Sequence, residues 1–273
     1  MAGPGVAILV GRGDVPRRVA ERLAAEGIPY FVGGFEGSAP DWLGEHPSLV
    51  EPIEKLGHFV SAFRNAGCTR LCLVGGMDRP QLNPLIFDAT FLRFAPQVLP
   101  RLREGDDAAL RAIAAFFEGE GFEMVGAHTL LGELVMPQGL LTTAEPSAQD
   151  LSDIARAEQI LATLAPLDLG QGCVISGGLC LGIETLQGTD FMLDAVARTD
   201  RSEGDGGVLV KLPKVGQDIR MDLPTIGPDT VRGALSAGLT GIAMRAGAAL
   251  IVDRETTVRR ADEAGLFLVG RAE

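Results

Sequence analysis

Apolar and polar positions keep a steady alternation of rhythms through the first third of the chain. VAILV (6–10) gives way to a glycine turn and the helical stretch VPRRVAERLAAEG, then IPYFVGG reads as a second strand. LGHFVSAFRNAG follows as a helix and TRLCLVGG as another strand. Apolar runs without polar alternation, separated by helices, predict a parallel sheet covered on both faces. DAALRAIAAFFEGEG is a further helix, opened by Asp106 or Asp107 as N-cap, and FEMVGAH the next strand.

Prolines, threonines, serines and acids break the pattern over MPQGLLTTAEPSAQDLSD, residues 136–153, which predicts a linker. A helix over DIARAEQILATLAPLD opens a differently textured half. There QGCVISGGLCLGIET, GGVLVKLPK, ALIVDRE and LFLVG read as strands, and DFMLDAVART and DTVRGALSAGLTGIAMRAG as helices. The fold class is α/β in two domains: an N-terminal Rossmann-like domain with a parallel sheet (1–135), the linker, and a mixed C-terminal α/β catalytic domain (154–273). No period of about 20 to 50 residues marks a repeat array. Within the second half, QDIRMDLP read as an extended strand places Asp218, Arg220 and Asp222 on one face and Ile219, Met221 and Leu223 on the other.

Composition narrows the function. At 273 residues and 46% hydrophobic, the chain can bury sizeable cores. A formal net charge of −12 opposes nucleic-acid binding, which rests on releasing counterions to clustered cations. A small anionic substrate stays open, because local cations or a metal invert the field inside one cleft. The amino terminus lacks a basic leader, and no run approaches the roughly 18 apolar residues of a membrane span. The expectation is a soluble, cytoplasmic protein. Cys68, Cys72, Cys173 and Cys180 show no C-x-x-C pair and no nearby histidine, so they are expected as buried free thiols rather than zinc ligands or a redox couple.

VAILVGRGDVPRR sets Gly11 and Gly13 between a strand and a helix, as in the opening of a dinucleotide fingerprint, but Pro16 stands where the third glycine belongs. Three readings fit: a tight turn needing backbone room beside a helix N-terminus, a nucleotide or phosphate contact, or a nicotinamide enzyme.

Chemistry concentrates at element ends in the second half. Glu184 ends a strand, Gly188 turns the chain, and Thr189 or Asp190 opens a helix. Lys211 and Lys214 bracket Pro213, and Pro228 starts a helix whose amides around Gly227 to Thr230 form a candidate anion seat. Phosphoryl transfer to water fits this set. Mg²⁺ neutralises a diphosphate while held by one or two carboxylates plus phosphate oxygens, and Asp218 and Asp222 supply that count. Arg220 or the lysines would grip a phosphate. The plainer alternatives are Asp190 as a helix cap, solvated lysines, aspartates that only pair with Arg220, and His128 as a hydrogen-bonded structural residue rather than a general base.

GDDAALRAIAAFFEGEGFEMVGAHTLLGEL, DLGQG, GIETLQGTDFML and GGVLVKLPKVGQDIRMDLPTIGPDTV resemble, in order and spacing, the UDP-2,3-diacylglucosamine pyrophosphatases of lipid A biosynthesis, the type unrelated to calcineurin-like metallophosphoesterases. The resemblance runs over essentially the whole chain, from VAILVGRGDVP and LVGGMDRPQL onward. Gln187 departs from the glutamate expected before Gly-Thr-Asp. The resemblance implies a Mg²⁺-dependent hydrolase giving UMP and 2,3-diacylglucosamine 1-phosphate, with two α/β domains enclosing the lipid and the protein working at the inner membrane face. It makes QDIRMDLP the catalytic region, with Asp218, Asp222 and Arg220 acting there and Asp190 joining the metal ligands. Lys211, Lys214, Gln217, Thr189, Gly188, Gly11 and Gly13 are the expected substrate contacts. Met192, Leu193 and Leu223 are expected to line an acyl cavity, and a homodimer is an open expectation. The rivals are a nucleotide-sugar oxidoreductase using the front loop and a non-catalytic acidic lipid- or nucleotide-binding protein.

Overall fold

The computed structural model describes residues 4–76, 82–101, 106–200 and 206–272. The chain divides into two compact units, one of residues 1–132 with Asp218–Asp222, the other of 133–217 with 223–273.

The first unit runs β1 (Gly5–Val10), α1 (Val15–Ala25), β2 (Tyr30–Phe35), β3 (Ser48–Glu51), α2 (Leu56–Asn65), β4 (Cys68–Val74), α3 (Ala89–Arg101), α4 (Asp106–Gly119), β5 (Glu123–Met124) and α5 (Ala127–Leu130). Its five strands are parallel, in the order β3-β2-β1-β4-β5. Every residue of β1 is buried, as a central strand covered on both faces requires. The parallel sheet is therefore as the sequence predicts. Helix α4 begins at Asp106, but the side chains of Asp106 and Asp107, and the Met77–Gln81 part of LVGGMDRPQL, lie outside the described residues. The core is rich in phenylalanine: Phe59, Phe63, Phe91 and Phe117 are fully buried, with edge and tilted ring contacts such as Phe63 to Phe122 at 6.1 Å. Met221 joins this core from the far end of the sequence.

The second unit runs β6 (Gly139–Leu140), α6 (Ala148–Leu164), β7 (Gly172–Ser176), β8 (Leu179–Ile183), α7 (Gly188–Ala197), β9 (Val208–Lys211), β10 (Thr225–Ile226), α8 (Pro228–Ser236), β11 (Gly241–Arg245), β12 (Leu250–Ile251), α9 (Arg254–Glu263) and β13 (Phe267–Arg271). Its main sheet has the order β6-β13-β11-β9-β7-β8; β9, β11 and β13 are parallel, and β7 runs antiparallel to both its neighbours. Alternation divides the strands between two cores. Cys173, Ile175, Val208, Val210, Ala243 and Phe267 face α6, whereas Val174, Leu209, Ile242, Met244 and Leu268 face α7, α8 and α9.

Residues 136–153, expected as a linker, lie inside this unit. Met136 is 1% exposed, β6 pairs with β13, and Ser147 with Asp150 forms a capping box that starts α6 at Ala148. The helix expected over 229–247 stops at Ser236; Gly238 turns the chain at φ +66, and Gly241–Arg245 pairs instead with β9 and β13. Met192 and Leu193, expected to line a cavity, are 4% and 1% exposed and belong to the core, and Leu223 is buried.

Candidate active site

The acid-base-acid segment is a turn, not the expected strand. The Met221 amide donates to the Asp218 carbonyl at 3.0 Å, and Met221 is sunk in the phenylalanine core. That anchor fixes the charged residues around it. The Asp218 carboxylate accepts from the Arg220 amide at 3.0 Å, from Nε at 3.0 and 3.1 Å, and from Nη2 at 2.6 Å. The remaining nitrogen, Nη1, donates to Glu118 Oε1 on α4 at 3.1 Å. The alternative weighed for this segment, that Asp218 pairs with Arg220, is what the side chains do. The hydrogen bonds from Arg220 hold the Asp218 carboxyl below the usual carboxylate range, against the upward push of burial, with Arg111 adding to the effect. Arg220 is pushed upward by the same bonds. Asp222 is exposed.

Behind the turn stands α5. The His128 ring bonds to the Ile219 backbone, and its Nδ1 is buried without a hydrogen-bond partner among the described residues. Burial lowers its pKa, opposed by that bond and by the Asp218 charge. A methyl group on Gly126 would come within 2.4 Å of His128 Cε1 and 3.0 Å of Arg220 Cα, so only glycine lets these backbones approach. Local sequence carried no signal for Glu118, Arg111 or Gly126, which reach the turn from about a hundred residues away.

The front glycines serve the fold of the first unit. The Gly11 amide donates to Val74 O at 2.9 Å, Arg12 and Gly76 exchange backbone bonds at 2.8 and 3.0 Å, and a Cβ at Gly11 would lie 2.2 Å from Gly76 O. Gly13 has φ +106. These loops follow β1 and β4, the adjacent strands at which the winding reverses, where open α/β sheets place their ligands.

In the second unit, a polar cluster is buried at the ends of β8 and β9. Lys211 is 5% exposed and Glu184 8%. Lys211 Nζ donates to Thr189 Oγ1 at 2.7 Å and to Thr225 O at 3.3 Å, and lies 3.7 Å from Glu184 Oε1. Thr189, in the first turn of α7, donates to Glu184 Oε1 at 2.6 Å. Glu184 Oε2 is buried with no partner among the described residues. Gly188 enters α7 at φ +85, Asp190 is exposed in its first turn, and Gln187 precedes it without capping it by its side chain. Lys214 Nζ pairs with Asp168, and the Lys214 amide donates to Gln217 Oε1 at 2.8 Å, closing a turn around Gly216. The anion seat expected at α8 is narrowed by Thr230, whose Oγ1 accepts from the Gly227 amide at 3.3 Å.

No group of three or more His, Cys, Asp and Glu that could hold a metal ion occurs among the described residues. Asp218 is saturated by Arg220, so the donor set suits only a cation that takes most of its ligands from phosphate and water, as Mg²⁺ does.

A doubly wound parallel unit, a mixed α/β unit and polar groups gathered at strand ends define a two-unit α/β protein with the layout of a small-molecule enzyme. Residues 5–134 match the LpxI N-terminal domain and residues 137–269 the LpxI C-terminal domain. The chain is 38% identical over 268 residues to the UDP-2,3-diacylglucosamine pyrophosphatase LpxI of Caulobacter vibrioides, covering 96% of each chain. It belongs to the LpxI family.

Proposed function

We propose that this protein hydrolyses the diphosphate of UDP-2,3-diacylglucosamine, releasing UMP and 2,3-diacylglucosamine 1-phosphate, and that the turn Asp218–Asp222 carries the reaction. The observation behind this is the doubly hydrogen-bonded Asp218–Arg220 pair, anchored by the buried Met221 and followed by the exposed Asp222. Such a turn presents charge from a fixed backbone, which is what positioning and electrostatic catalysis need.

The roles divide by accessibility. Arg220 orients Asp218 and keeps it ionised; the guanidinium, with N–H groups beyond those it gives Asp218 and Glu118, is also placed to hold a phosphate oxygen. Asp222 is the exposed carboxylate of the turn, and Asp222, Asp218 and Asp190 are the carboxylates assigned to a metal. Bound Mg²⁺ would supply charge neutralisation of the diphosphate and a more acidic water. In the second unit, Lys211 and Glu184 hold Thr189 and the entrance of α7, while Lys214 and Gln217 shape the neighbouring turn for substrate contact.

The lipid half of the substrate has apolar surface available to it. Leu186 and Phe191, which flank Gly188–Asp190, are 79% and 59% exposed, and Val215 beside Lys214 is 75% exposed. They suit acyl chains or a peripheral membrane contact. No helix among the described residues is long and apolar enough to cross a membrane.

The test is UMP release from UDP-2,3-diacylglucosamine in mixed micelles, with Mg²⁺ and with EDTA. Metal-dependent release of UMP supports the reading. Absence of release from the folded, Mg²⁺-supplied protein rejects it, and undiminished release in EDTA rejects the metal.

A further inference from the structure

The sequence leads one to expect buried, inert thiols, and three of the four cysteines are buried; Cys180 is exposed. It stands on β8, an edge strand of its sheet, opposite Ile175 of β7. Cys173 lies two residues before Ile175 on the same strand and so projects from the same face. The register shifts between Val174 and Ile175: Val174 pairs with Gly182 and Ile175 with Cys180, leaving Leu181 as an extra residue in β8. This bulge leaves the two side chains as neighbours, their Sγ atoms 3.8 Å apart.

We propose that Cys173 and Cys180 form a reversible dithiol–disulfide site, opened by reaction of Cys180 with a low-molecular-weight disulfide of the glutathione type. The Cys180 thiolate attacks one sulfur of the oxidant, forming a mixed disulfide and expelling one thiolate. Cys173 then gives up its proton to solvent and attacks the Cys180 sulfur, expelling the second thiolate. Two electrons pass from the protein thiols to the oxidant's sulfur–sulfur bond, and one intrachain bond forms.

The division of roles follows from the surroundings. Cys180 has solvent access and sits on the outermost strand, so its side chain can swing without repacking a core. Cys173 is 0% exposed and fixed between β7 and α6, which suits the resolving thiol, since burial pushes its pKa upward and disfavours the first attack. Closing the gap from 3.8 Å to a bond of about 2.05 Å needs a sulfur to move, and Cys180, exposed on the edge strand, is the one with room to do so. Cys68 and Cys72 do not compete: burial pushes them up to about 11 and about 12. The bridge would tie down the edge strand that leads directly into Glu184, whose amide already donates to Gly172 O at 2.8 Å.

The experiment treats the full chain with excess oxidised glutathione at neutral pH, then alkylates under denaturing conditions and digests with trypsin. No lysine or arginine separates Cys173 from Cys180, so both fall in one peptide. The expected product is that peptide lighter by two hydrogens and free of glutathione, with alkylatable thiols falling from four to two per chain and restored by dithiothreitol. Cys173→Ser should hold glutathione on residue 180, and the exposed-site variant Cys180→Ser should not react. Wild-type protein that keeps glutathione on Cys180, or emerges with both cysteines alkylated, overturns the proposal whatever the variants do.

Discussion

Both carboxylate oxygens of Asp218 accept hydrogen bonds from Arg220, two residues along the same turn, at distances between 2.6 and 3.1 Å. The pair gives the turn a fixed orientation and a pH signature. Asp218 has a depressed native pKa, so its contribution to stability is present above the unfolded carboxyl value of about 3.9 and is lost as pH falls through the native value. Arg220→Ala should therefore lower the urea midpoint at neutral pH and converge with wild type as the solution is acidified. Curves for the two proteins that stay parallel down to pH values below the carboxylate range would show that the pair does not set Asp218.

Asp222 is exposed in a turn whose anchor is its buried neighbour Met221. Asp222→Asn should still fold and reduce kcat for UMP release by about a hundredfold or more, the scale of losing one electrostatic group aimed at a transition state. Full activity in the folded variant would move the metal and the chemistry elsewhere.

The buried cluster makes the opposite prediction, a loss of stability first. Lys211→Met leaves the Glu184 carboxylate buried without its cation and should cost about 3 kcal/mol. Adding Glu184→Gln should recover most of that cost, because the charge itself is removed. Denaturant titrations of the two single variants and the double variant read this coupling directly.

Thr189 links the same two residues through one hydroxyl. Thr189→Val should destabilise by roughly 1–3 kcal/mol, the cost of leaving buried polar groups unmatched, while Thr189→Ser should stay near wild type. A stable Thr189→Val beside a destabilised Thr189→Ser would point to packing of the methyl group instead.

Gly126 tests the support behind the Asp218–Asp222 turn. Gly126→Ala sets a methyl 2.4 Å from His128 Cε1 and should cost about 1–3 kcal/mol by overpacking. Trimming the ring in Gly126→Ala/His128→Ala should return part of that stability. Failure of the double variant to recover any would mean the Arg220 backbone, 3.0 Å away, is the harder clash.

Most long periodic elements were legible in the sequence, and only some of the short ones were. The runs now forming β1, β2 and β4 with α1 and α2 announce a covered parallel sheet, because continuous apolar strands and amphipathic helices have distinct periods. Strands β5 and β12, two residues each, fall inside FEMVGAH and ALIVDRE, which do read as strands, whereas β6 and β10, also two residues each, sit in proline-containing stretches too short to carry a period. DTVRGALSAGLTGIAMRAG reads as one helix because small apolar residues suit helix and buried strand alike; pairing with β9 and β13 decides for strand after Gly238. At QDIRMD, alternation separates Met221 from the acids, and Met221 is indeed buried, yet Ile219 is 39% exposed because the backbone turns back at Asp218. The polar residues at strand ends stand out in the sequence. Their bonding does not: Lys211 meets Thr189 from 22 positions away, and Arg220 meets Glu118 from 102.

Five residues of the first unit are encoded more than eighty positions after the rest of it has ended at Gly132. During synthesis, the phenylalanine core must wait for a late sulfur-containing plug, Met221, before it is complete. A gene cut at the apparent boundary would yield a fragment with a hole in its interior and no partner for Glu118 from the turn, so the two halves are separable as folds but not as stretches of DNA.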